Sequence, residues 1–169
     1  MNSYTEIFDS SDRSIGFLSE SVASVSDPLV QNRFIGFLSV TAVTFYEEAF
    51  KKILYEFARK KHPVFGYHVK IHYEKLNGRI ALRDIRNNHI TKFGDKYRNR
   101  FDRLLAISEN RSLRNGNGSI MTSYGNILTW RHNFVHGGNL PSNATYREAE
   151  NSYQLGKGIF DCLYEAMKR

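Results

Sequence analysis

DPLVQNRFIGFLSVTAVTFYEEAFKKILYEFARKKHP, residues 27–63, carries a long apolar periodicity. Leu38, Ala42, Phe45, Ala49, Ile53 and Phe57 recur at steps of three and four, the spacing that lines one face of a helix. Asp27 stands where a side-chain oxygen caps the first free N–H groups, and Pro28 suits the first turn, where its missing N–H is not needed. The stop is equally clear: in KKHPVFGY the residue before Pro63 is pushed out of the helical region. One long helix is predicted over 29–61.

Working outward, a shorter helix follows from about 66 to 76, and NGRIAL breaks it at Asn77 and Gly78. Ile85, Ile90, Phe93, Tyr97, Phe101, Leu104, Leu105 and Ile107 then mark helical residues to about 109, with Gly94 a candidate split. ENRSLRNGNGS has turn chemistry throughout, and Ile120, Met121, Tyr124, Ile127, Leu128 and Trp130 restart the helical spacing, which the Gly137–Gly138 pair closes. In TYRE, Thr145 and Glu148 form a capping box, and Ala149, Leu155, Ile159, Leu163 and Ala166 trace the core stripe of a final helix. Alternating β-branched runs and repeats are absent. The expectation is an all-α bundle of four to five main helices with an additional short N-terminal helix around 11–24, divided as an N-terminal segment 1–27 packed on a helical domain 28–169.

At 169 residues the chain has the length of one domain, and 41% hydrophobic with 14% aromatic residues is a globular composition. The lone Cys162 forms no internal disulfide and fits a reducing cytoplasm. Asp9, Asp12, Glu20 and Asp27 make residues 1–27 too polar for a secretory or transit peptide, and no window is apolar enough to span a membrane. Of the 24 Lys and Arg, 17 lie in residues 51–114 against 6 acids, so the surplus behind the net +7 is concentrated there. Interleaved with Tyr67, Tyr73, Phe93, Tyr97 and Phe101, such a stretch could track a phosphate backbone and stack bases, or be a solvated helix face.

TWRHNFVHGGN, residues 129–139, concentrates the reactive side chains. Arg131 can clamp a phosphate through two N–H groups, and the imidazole of His136 can take up or give a proton, so the pair has what in-line attack by a ribose 2′-hydroxyl demands. Five helical steps set the two about 140° apart. Either the helix loosens at 134–136, or a second subunit completes the site, which is the arrangement favoured here. Arg83 and His89 in RDIRNNH also fit an Arg followed by a His after four to six residues, so spacing alone does not choose. Other readings compete. An Arg and a His near a helix C-terminus also stabilise its dipole by about 0.3–1 kcal/mol. His132 with His136, and His68 with His72, have the four-residue spacing of zinc ligands but no accompanying Glu of the HExxH kind. Glu47 or Glu48 could turn inward and orient Arg131, and Trp130 reads as a core or interface anchor.

TWRHNFVHGG, at the end of one apolar helix and before a capped final helix, resembles the signature of HEPN domains, α-helical bundles of the higher eukaryote and prokaryote nucleotide-binding family. FYEEAFKKIL and RIALRDIRNNHITKFGDKYRNRF are similar to the branch found with bacterial defence and toxin systems. On this resemblance Arg131 matches the family Arg, His132 the polar position and His136 the final His. Many members have Asn directly after the Arg, whereas here His132 intervenes before Asn133. The resemblance implies a metal-independent endoribonuclease without a cofactor, dimeric, with Arg131 and His136 of two subunits meeting in a shared cleft and His132 and Asn133 orienting them. It also implies an RNA substrate, a cytoplasmic setting and a possible antitoxin or regulatory partner protein. The alternative is a non-catalytic HEPN module that binds nucleotide, RNA or protein.

Overall fold

In a computed structural model, which describes residues 4–76, 78–138 and 144–168, the chain is helical, and no strand occurs among the described residues. Helix α2, Pro28–Lys61, is 34 residues long and so spans about 51 Å. It starts where the sequence places it: the Asp27 carboxylate accepts from Leu29 N at 2.8 Å. His62 is extended and ends the helix, and its Nδ1 accepts from Val64 N at 3.2 Å, which caps α3, Pro63–Tyr73. That helix therefore begins three residues before the expected 66.

Around α2 the other helices assemble. Helices α1 (Thr5–Ala23), α3, α6 (Ile120–Gly137), α7 (Tyr146–Gly156) and α8 (Gly158–Met167) all pack against it, and α5 (Asp95–Arg114) lies on α8. A helix surrounded in this way buries more than one stripe. Phe45, placed in the core by its spacing, is only half-buried, while its neighbour Tyr46 is fully buried. Tyr46 sits among the rings of Phe8, Tyr124, Tyr153 and Phe160 at 5.0–6.2 Å, and its hydroxyl donates to the Tyr153 carbonyl at 2.7 Å. A buried phenol needs such a partner to offset its desolvation.

The predicted final helix is two helices. Thr145 and Glu148 do form the capping box of α7. The chain then breaks at Lys157 because Gly156 and Gly158 let other elements come close: a Cβ on Gly156 would run into the Tyr46 hydroxyl, and one on Gly158 would lie 3.2 Å from Ile120. Helix α1 is tied to this corner. Tyr4 donates to Asp161 at 2.8 Å, and Asp12 accepts from Tyr153 at 2.8 Å and from Lys157 at 3.0 Å. Phe8 and Ile15 enter the same core as α2.

Between α3 and α5 the expected single helix is broken up. Asn77 lies outside the described residues, and Gly78 has φ +79°. A three-residue turn, α4 (Leu82–Asp84), runs into a π-helical turn, Ile85–His89, and a 3-10 turn, Ile90–Phe93. Gly94, at φ +113°, separates these from α5 as anticipated. The wide π turn lets Ile85, His89 and Ile90 all face inward, at 0%, 7% and 0% exposure.

Candidate active site

Helix α6 carries the Arg–His segment and is regular to its end. Ser119 caps it by accepting from Thr122 N at 2.9 Å, and Gly138, left-handed at φ +61°, closes it with its N–H on the Phe134 carbonyl at 3.2 Å. The helix does not loosen at 134–136. Within one chain Arg131 and His136 therefore stay about 140° apart in direction and about 7.5 Å along the axis.

Phe134 sets the rotation of this last turn. Its ring lies against Gly36 of α2, where a Cβ would enter the ring, and meets Phe37 edge-on at 5.4 Å. Phe37 in turn meets Phe34 at 5.9 Å. The aromatic contact leaves apolar surface uncovered beside the segment: Leu29, Val30, Phe37 and Val135 are 40–76% exposed.

Arg131 is half-buried and its guanidinium lies over Gly78. Nη1 is 3.7 Å, and Glu47 Oε1 3.8 Å, from the point a Cβ on Gly78 would occupy. The two charged ends thus flank one small patch of backbone. Yet among the described residues Arg131 makes no hydrogen bond or ion pair. Glu47 is the acid that turns inward, and its charge adds to burial in holding the Tyr124 phenol far above its ordinary pKa. Glu48 turns outward to Lys51 at 3.1 Å. The Gly78 backbone is held in place from two sides: Tyr124 donates to the Ile80 carbonyl at 2.6 Å, and His89 Nε2 donates to the Arg79 carbonyl at 2.7 Å.

His136, His132 and Asn133 are exposed. The two imidazoles contact each other with centroids 4.7 Å apart, one helical turn separating them. Trp130 is half-buried against the core.

The second Arg–His pair is built the other way round. Arg83 is exposed and His89 buried at 7%. Burial is the main cause that keeps His89 below its ordinary pKa, against the opposing pull of its bond to Arg79. His68 and His72 stack at 6.2 Å, and Lys92 Nζ donates to His72 Nε2 at 3.0 Å. Among the described residues no group of three or more His, Cys, Asp or Glu is placed to hold a metal ion. The aromatics of the basic stretch are mostly core: Tyr73 and Phe101 are buried, and Phe93 and Tyr97 pack on Phe57 at 5.6 and 4.9 Å. Tyr67 alone of the five is exposed, at 67%.

Of the groups beside this helix end, Glu47 is one of the two acids the sequence offers to Arg131, whereas Gly78 reads only as a break and Gly36 carries no motif; a glycine inside an apolar helix, as Gly36 is, is the signal that another element approaches closely there.

A family model described as RiboL-PSP-HEPN matches residues 6–169. The chain belongs to the RiboL-PSP-HEPN family. A search of curated proteins and a search of solved structures each returned no match. HEPN domains include ribonucleases and nucleotide-binding modules, and they bind RNA and often dimerise. In this HEPN domain all four candidate residues, Arg131, His132, Asn133 and His136, fall inside the matched span on one helix end. No helix among the described residues is long and apolar enough to cross a membrane.

Proposed function

We propose that this HEPN domain is a metal-independent endoribonuclease that cuts single-stranded or loop RNA. The observation that carries the reading is a half-buried guanidinium, Arg131, lying over Gly78 and without a hydrogen-bond or ion-pair partner among the described residues, on the same helix end as an exposed imidazole, His136. An unpaired cation held in a partly desolvated place is ready for an anion, and a phosphate group undergoing attack gains negative charge. Arg131 binds the scissile phosphate. His136 takes the proton of the 2′-hydroxyl or returns one to the 5′-oxygen that leaves. The 2′-oxygen forms the new bond to phosphorus as the bond to the 5′-oxygen breaks, leaving a cyclic phosphate. His132, whose ring lies tilted against that of His136, and Asn133 orient the imidazole or the substrate.

A second copy completes the site. The regular helix keeps Arg131 and His136 of one chain apart, while the uncovered Leu29, Val30, Phe37 and Val135 offer an apolar surface beside them for a twofold partner. The Lys and Arg of residues 51–114 supply the electrostatic groove. A role as a toxin or anti-phage effector, cytoplasmic and restrained by an antitoxin or regulatory protein, extends the same proposal.

The test is incubation of the purified protein with end-labelled RNA in excess EDTA. The reading expects cleavage that Arg131→Ala or His136→Ala abolishes, with cyclic phosphate ends. RNA that stays intact while still bound would make the domain a binding module instead.

A further inference from the structure

The Gly78 backbone that supports Arg131 has a second side. Arg79, the next residue and so about 3.8 Å further along the chain, lines a cavity of about 420 Å³ against the π turn. That volume lies in the range of small-ligand sites. Its wall is polar and net basic. Arg79 is exposed and, among the described residues, unpaired; Lys92 adds a second cation; the one carboxylate, Asp84, is already engaged by Asn88 Nδ2 at 2.8 Å.

Asn87 adds a different kind of group. The π turn faces it outward, and Thr91 Oγ1 donates to its backbone carbonyl at 2.8 Å, which fixes the main chain while the carboxamide has no partner among the described residues. A free carboxamide presents a donor beside an acceptor, the pattern that pairs in two bonds with adenine N7 and N6. His89, buried in the same wall, holds Arg79 through its carbonyl, and its own Nδ1 has no partner among the described residues.

We propose that this cavity is a nucleotide subsite, which seats the RNA residue adjoining the scissile phosphate and prefers adenine. Arg79 and Lys92 hold its phosphate, and Asn87 reads the base edge. The proposal rests on the ribonuclease reading for its position along the strand: Arg79 directly follows Gly78, over which Arg131 lies, so the cavity is placed to take a nucleotide neighbouring the phosphate that Arg131 binds. Single-stranded RNA is read in this manner, through splayed bases and charge on the backbone.

The experiment uses the full chain carrying His136→Ala, so that RNA is bound and not cut. Affinity is measured for an oligouridine and for the same oligomer with one central adenosine. The expected result is about tenfold tighter binding of the adenosine oligomer, a preference that Asn87→Ala reduces to less than about twofold. Arg79→Ala with Lys92→Ala weakens both oligomers by tenfold or more and lowers the slope of log K against log salt by about 1.4. The pair Arg13→Ala with Arg147→Ala removes equal charge from exposed positions outside residues 51–114 and keeps the adenosine preference. Equal affinity for the two oligomers, or a preference indifferent to Asn87→Ala, overturns the subsite. Cleavage by the unmodified chain is scored separately, so selective binding without cleavage would remove the ribonuclease reading and leave the subsite standing.

Discussion

Two stretches of this chain carry the same pair of residue types at nearly the same spacing, and the fold gives them opposite surroundings. At the end of α6 the Arg is half-buried and the His free in solvent; at the π turn the Arg is exposed and the His buried at 7%, hydrogen-bonded to backbone. A proton shuttle must reach its substrate, which a solvent-facing imidazole can do. A desolvated one committed to a carbonyl serves the structure. The guanidinium is ranked the other way: partial burial over Gly78 fixes its direction, whereas Arg83 in open solvent is one charge among many. On the proposed reading, chemistry falls to the pair whose Arg is partly buried and whose His is exposed, and each prediction below tries to break that contrast or to sharpen it.

The largest effect is expected on cleavage. Arg131→Ala and His136→Ala each lower the rate by about 10²–10³-fold, while Arg83→Ala stays within about threefold, measured as initial rates on a labelled RNA. Next is the surface that sets the α6 pair apart. Phe37→Glu places a charge in the uncovered apolar patch and is expected to reduce both the dimer fraction by sedimentation and the rate by at least about tenfold. A rate that survives while the dimer is lost would mean that one chain suffices.

Stability reverses the order of the two histidines. His89→Ala empties a buried site and strands the Arg79 carbonyl, at a cost of about 3 kcal/mol in chemical denaturation, whereas His136→Ala stays within about 0.5 kcal/mol. The smallest effect is the pH dependence. Because burial keeps the folded-state pKa of His89 below the ordinary 6.5, the unfolded chain takes up the proton first. Stability is therefore full above about pH 6.5, falls as pH drops below it, and levels off only once the folded form is itself protonated. His89→Gln, whose amide can still donate to Arg79, should flatten that decline when unfolding is followed between pH 7.5 and 5.

Much of this was legible from residues alone. The cap at Asp27, the stop at Pro63, the Thr145 box and the closing Gly138 are local devices, and each appears where its chemistry asks for it. What failed was non-local. Periodicity assigned Phe45 rather than Tyr46 to the core because it assumes one buried stripe, and α2 is covered on several sides. The last helix looked continuous since nothing in Gly156 and Gly158 announces that Tyr46 and Ile120 will press on them. The candidate residues stand at the helix end where the motif put them, and Glu47 is one of the two acids the sequence offered beside Arg131, but Gly78 and the Tyr124 bond to Ile80 come from segments more than 40 positions from their partners and carry no shared pattern. Likewise the aromatics of the basic stretch resembled a stacking platform only until packing claimed Tyr73, Phe93, Tyr97 and Phe101 for the interior.

The claim that Arg131 of one copy meets His136 of another is tested most directly by mixing the two inactive variants, Arg131→Ala and His136→Ala, after unfolding and refolding them together. Half of the dimers formed are then mixed, each with one intact composite site, so the account predicts return of about a quarter of the unmodified activity. A mixture as inactive as either variant alone would contradict it.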